Sequence, residues 1–202
     1  MVLLPPAYAG PEDFIEHGFV TAVRERERAL DLVLVELKLQ QLLERKVLRH
    51  LRHEIVLPAR AQGCSVWLAG LSLGGFVGLA YADRYPGEVD GLLLLAPYLG
   101  SHLVTGEIER AQGLTGWHAG EPRQEDDERR VWRFIQRRCC AHPIPQRPVL
   151  HLGFGAEDRF AASHRMMAAV LAPGTVHIIP GGHDWRTWRQ LWENFLDARA
   201  AV

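Results

Sequence analysis

Uninterrupted apolar runs alternate along this chain with segments whose apolar residues recur every three or four positions. Residues 2–4, 32–36, 65–69, 91–96, 149–153 and 175–179 read as β-strands. Several of them are continuously apolar, as parallel strands covered on both faces must be. The segments between them read as helices. Pro11-Glu12-Asp13 opens the first, with Ile15, Phe19 and Val23 at helical spacing; proline suits the first helical position and acids suit the first turn. Leu43, Val47, Leu51 and Ile55 share a face of the second. Gly74, Gly78 and Ala82 give the third a small-residue face that lets it approach a sheet closely, and Tyr85-Pro86-Gly87 ends it. A short helix spans 161–171, and Trp185, Trp188, Trp192, Phe195 and Leu196 form the buried stripe of a last one.

Strands alternating with helices predict an α/β fold. The sheet would be doubly wound and mostly parallel, with about six strands, helices on both faces and right-handed crossovers. Chemistry then belongs to the loops at the carboxyl ends of the strands, here 5–10, 37–40, 71–74, 97–100, 154–160 and 180–184.

The 202 residues, 48% of them hydrophobic, suffice for one core and do not demand a second domain. A net charge of −1 and the absence of a basic face interleaved with aromatics exclude a nucleic-acid partner. The alternating run Arg24-Glu25-Arg26-Glu27-Arg28 reads as a solvated helix end. Met1-Val2-Leu3-Leu4-Pro5-Pro6 lacks a basic region and is broken by prolines, so neither a signal peptide nor a membrane span is expected. Cys64, Cys139 and Cys140 are an odd, sparse set, which favours a reducing, cytoplasmic setting. No Cys/His spacing suggests a metal site.

One loop carries the sharpest chemistry. Gly70-Leu71-Ser72-Leu73-Gly74 reads G-x-S-x-G, after a strand and before a helix. A serine on so tight a turn has its hydroxyl pushed clear of the sheet, beside the unpaired N–H groups of a helix start. A Gly-rich turn that merely packs a helix on the sheet has the same spelling, so the other loops decide. Serine needs a base. His183, in Pro180-Gly181-Gly182-His183-Asp184, is the histidine placed in a loop after a strand and before the last helix. His151 and His177 fall inside strands, and His50 and His53 with Glu54 read as a solvated helix face. The base needs an orienting acid. Asp158, in Gly155-Ala156-Glu157-Asp158-Arg159, is the choice, with Glu157 its competitor by a one-residue slip. Asp184 is better placed to cap the last helix.

The order Ser72, Asp158, His183, on these motifs, resembles that of the α/β-hydrolase superfamily over nearly the whole chain, and most of all its small bacterial-type esterases and lipase-like serine hydrolases. The resemblance implies a fold lacking the superfamily's first two strands and a Ser-His-Asp acyl-enzyme mechanism without a cofactor. It implies an oxyanion hole made by the N–H of Leu73 and one N–H from the loop Pro5-Pro6-Ala7-Tyr8. Proline has no N–H, so Ala7 is expected to donate, with Tyr8 the second choice. Residues 98–147 are an insertion expected to cap the site, with Tyr98, Trp117 and Trp132 shaping a pocket; a packing helix pair without a substrate role is the alternative. Cys139 and Cys140 are expected to be spectators.

The expected activity is hydrolysis of a small-molecule carboxylic ester, rising with pH as His183 loses its proton. Thioesterase, acyltransferase or peptidase chemistry on the same three residues stays open, as does a non-catalytic binding protein on this fold. No membrane partner is expected, and pairing into a homo-oligomer through edge strands or the insertion is left open.

Overall fold

The computed structural model describes residues 1–37, 46–121, 123, 126–140 and 147–198. Six parallel strands form one sheet in the order β2-β1-β3-β4-β5-β6. They are β1 (Val2–Leu4), β2 (Val33–Leu34), β3 (Trp67–Leu71), β4 (Gly91–Leu95), β5 (Val149–Gly155) and β6 (Val176–Ile179). The helices are α1 (Pro11–Glu16), α2 (Phe19–Glu25), α3 (Val47–Leu51), α4 (Leu57–Ala61), α5 (Leu73–Arg84), α6 (His102–Arg110), α7 (Asp127–Cys140), α8 (Ala161–Ala168) and α9 (Trp185–Ala198). The central strands β3 and β4 are buried at every position, which is why they read as continuous apolar runs. β2 pairs on one side only and keeps two residues of the five expected.

Period-two alternation sorts the helices between the faces. Leu4, Leu68 and Leu92 turn toward α5, where they approach Gly78. Leu150, Leu152 and Phe154 share that parity through the register of β4 and β5, and Phe154 meets His164 of α8 there. The opposite parity faces α9: Gly153 abuts Leu191, and Trp67 and His151 meet Phe195. α7 packs against α5. It lies between two adjacent parallel strands, β4 and β5, which need such a crossover.

Two helical readings shift in register. Gly18, at φ 78°, separates α1 from α2, so Phe14 and Phe19 are buried while Ile15 is 57% exposed. A π-helical turn, Arg52–Val56, joins α3 to α4. It stands where Pro58 cannot donate to the carbonyl of Glu54. Val56 is thereby fully buried and Ile55 only half-buried. Leu43 and residues 38–40 lie outside the described residues.

The α9 stripe is core as expected: Trp188, Trp192, Phe195 and Leu196 are buried, and Trp192 Nε1 donates to the Phe19 carbonyl at 3.0 Å. Trp185 is half-buried, stacked on His17 at 4.4 Å. Among the described residues, no helix is long and apolar enough to cross a membrane.

Candidate active site

Three loops at the carboxyl ends of β3, β5 and β6 bring Ser72, Asp158 and His183 together. Ser72 sits between β3 and α5 at φ 48° and ψ −110°, a left-handed conformation that a non-glycine residue adopts only under constraint. The constraint is visible. Its N–H donates to Leu95 at 3.0 Å, and its carbonyl accepts from Gly75 (3.0 Å), Phe76 (3.3 Å) and Tyr98 (2.9 Å). A side chain at Gly70 would run into the Gly74 backbone, and one at Gly74 into Leu4. Both glycines are therefore needed for strand, turn and helix to meet so closely.

Asp158 follows β5 and is almost fully buried. Oδ1 accepts the Phe160 N–H at 2.8 Å, which leaves Oδ2 facing His183 Nδ1 at 2.8 Å. Burial pushes the Asp158 carboxyl upward. The hydrogen bonds from His183 and the Phe160 N–H outweigh that and hold it below the usual carboxylate range. A carboxylate only accepts, so Nδ1 of His183 carries the proton and donates to it, and Nε2 lies 2.9 Å from Ser72 Oγ. Phe160 (5.1 Å, 85°) and Trp188 (5.0 Å, 89°) meet the imidazole edge-on and confine it.

Glu157 turns elsewhere. Its carboxylate accepts the Gly181 N–H, and its own N–H donates to the Gly181 carbonyl at 3.1 Å. It thus ties the loop of His183 to the loop of Asp158, a role invisible in its sequence setting. Asp184 caps α9, accepting the Thr187 N–H at 2.9 Å. His50 and His53 are exposed.

Leu73 is the first residue of α5, so its N–H is among those a helix leaves without an intrahelical acceptor. The loop holding Ala7 is brought to the Ser72 turn because the Leu4 and Pro5 carbonyls lie against Gly74. Ala7 and Tyr8 form an exposed turn there, with Tyr8 at φ 64°.

Tyr98 lies beside the site. Its ring meets Phe76 and Phe160, each at 5.8 Å, and its hydroxyl donates to Glu128 at 2.9 Å. Trp117 and Trp132 belong to the same segment between β4 and β5. Both are buried, and Trp132 Nε1 donates to the Leu99 carbonyl at 2.7 Å. Such burial is what core packing requires, since the crossover between β4 and β5 has to bury its own apolar face. Phe76 and Phe160, which flank Tyr98, were not singled out in the sequence; their positions, four residues after Ser72 and two after Asp158, were the available signal.

Burial pushes the Cys139 thiol up to about 11, and Cys140 is also raised, so neither is activated as a thiolate. Among the described residues, no three His, Cys, Asp or Glu side chains converge in a way that could hold a metal ion.

No protein-family model matches the chain, and no curated protein matches it. Solved structures do. One similar structure is an S-formylglutathione hydrolase from Staphylococcus aureus, with TM-score 0.64 and 13% identity, over 97% of this chain and 78% of that one. The chain has the α/β-hydrolase fold. Serine hydrolase F of S. aureus, described as fluorophosphonate-binding, matches with TM-score 0.61 and 14% identity over 97% and 81% of the two chains. A monoacylglycerol lipase of Paleococcus ferrophilus matches with TM-score 0.57 and 12% identity over 98% and 93%.

Proposed function

We propose that the protein is a serine hydrolase that cleaves carboxylic esters through an acyl-enzyme on Ser72. The observation that carries the reading is the hydrogen-bonded row from Asp158 Oδ2 through His183 to Ser72 Oγ, with steps of 2.8 and 2.9 Å. Such spacing lets a hydroxyl pass its proton to imidazole as the oxygen attacks. In this reading Ser72 attacks the acyl carbon and His183 takes the proton. Asp158 keeps Nδ1 protonated and stabilises the imidazolium. The N–H groups of Leu73 and Ala7 receive the developing oxyanion, with Tyr8 the other donor in that loop. His183 returns the proton to the departing alcohol, then deprotonates the water that frees the acid. Tyr98, Phe76 and Phe160 form an aromatic flank for the substrate, and no cofactor takes part.

The esterases and lipases among similar structures support ester cleavage in kind. A thioester is the second reading, favoured by the S-formylglutathione hydrolase among them. Aryl esters of graded acyl length, run beside a matched thioester series, test both. Ester turnover by the native protein, lower in Ser72→Ala by about three decades or more, is expected. Equal turnover in the two proteins rules the reading out.

A further inference from the structure

A second histidine lies close to the site without joining its hydrogen-bonded row. His164, on α8, is fully buried, and its Nε2 is 2.9 Å from the Pro97 carbonyl oxygen. A carbonyl only accepts, so Nε2 carries the proton. Nδ1 is buried and has no hydrogen-bond partner among the described residues. Phe154 at 5.0 Å and Phe160 at 6.5 Å wedge the ring in place.

The Pro97 carbonyl and the Tyr98 N–H belong to one planar peptide group. The far end of that group donates to the Ser72 carbonyl at 2.9 Å. A planar unit held at one end is oriented at the other. The contact thus runs from His164 Nε2–H, through the 97–98 peptide, to the Ser72 backbone. Both flanks of this contact are constrained: Ser72 at φ 48° and Ala96 at φ 47° are non-glycine residues in the left-handed region. Such residues persist only where their surroundings over-determine them.

We propose that His164 is a positioning residue for Ser72: through the Pro97–Tyr98 peptide it fixes the strained turn that aims the Ser72 hydroxyl at His183. The inference rests on the reading of Ser72 as nucleophile. The rival is a ring that only fills space, in which case any side chain of similar volume serves.

Three substitutions separate the two. The side-chain amide of His164→Gln reaches the place of Nε2, that of His164→Asn stops short of it, and His164→Leu fills the volume without a donor. Gln is expected to preserve most of the ester turnover. Asn and Leu are expected to lower kcat about tenfold or more, the effect of an orphaned buried carbonyl felt at the nucleophile. KM should stay within about twofold, because the substrate's own contacts are untouched. Hydrogen exchange at the Tyr98 amide, measured against the β4 amides, should speed up in Asn and Leu and not in Gln.

Equal turnover and equal Tyr98 exchange in all three variants overturns the proposal. The exchange reading does not depend on turnover. A native protein that neither cleaves esters nor reacts at Ser72, yet shows the expected exchange order, removes the hydrolase reading and upholds the positioning link. If the Leu protein fails to fold, the Gln–Asn pair decides.

Discussion

The two ends of the sheet each hold a buried aspartate, and their neighbours make them opposites. At the amino end, Asp90 precedes β4. It accepts from the Val66 N–H (2.8 Å), the Ser65 hydroxyl (3.1 Å) and Arg60 (3.2 Å), and it pairs with Arg147. At the carboxyl end, Asp158 accepts one backbone N–H and one imidazole. Burial pushes both carboxyls upward, and their donors bring both below the usual range. The lesson is in the kind of donor. Arginine never gives up its proton, so Asp90 is locked into a structural clasp. Imidazole gains and loses a proton readily, so the same buried charge at Asp158 can be used in a reaction.

Breaking each aspartate tests that contrast. Asp158→Asn is the largest expected effect. An amide at this place favours the wrong imidazole tautomer, and kcat should fall about 10³–10⁴-fold while thermal unfolding changes little. A rate within tenfold of native would dissolve the distinction between the two ends.

The next effect comes from pH. Burial lowers His164 to about 4 from an ordinary 6.5, in an environment it shares with Asp158, His183 and Arg165. Between those values the unfolded chain binds the proton and the folded one does not. Stability should therefore fall as pH drops from about 6.5 toward 4, by on the order of 3 kcal/mol. Urea unfolding at several pH values reads this, and His164→Gln should flatten the slope. An unchanged slope in that variant assigns the acid sensitivity to other groups.

Asp90→Asn follows. It faces an amide N–H₂ toward donors, and the expected loss is about 2 kcal/mol, or roughly 4–8 °C in Tm, with kcat of the folded protein near native. A large loss of kcat at low temperature would mean that the amino end is not merely structural. Asp184→Ala is the smallest. Removing the α9 cap should cost about 1 kcal/mol and leave turnover within a few-fold of native, since Asp184 caps the helix while Asp158, and not Asp184, meets His183 Nδ1. A decades-wide loss of activity would reverse those two assignments.

The sheet and the serine turn were legible because both are local. Continuous apolar runs marked β3 and β4. The glycines around Ser72 follow from a clash with the Gly74 backbone and the Leu4 carbonyl that any side chain would meet. Asp158 and Glu157 were legible only as a pair. Adjacent carboxylates look alike in sequence, and only the path of the chain after β5 sends one to His183 and the other to Gly181. Trp132 was ambiguous in sequence because a tryptophan in an insertion suits a pocket as well as a core. The turn around Pro58 could not be timed from periodicity, since a π turn resets the helical register. His164 was silent because its partner is a backbone oxygen 67 residues away.

The central claim is that the Asp158–His183–Ser72 row makes the Ser72 oxygen a nucleophile. Intact-mass and peptide mapping after a fluorophosphonate treatment of the folded protein tests it most directly. One adduct per chain, located on Ser72 and forming far more slowly in Asp158→Asn and His183→Ala, is the predicted result. A folded native protein that stays unmodified, or that carries its adduct on another residue, would contradict the account.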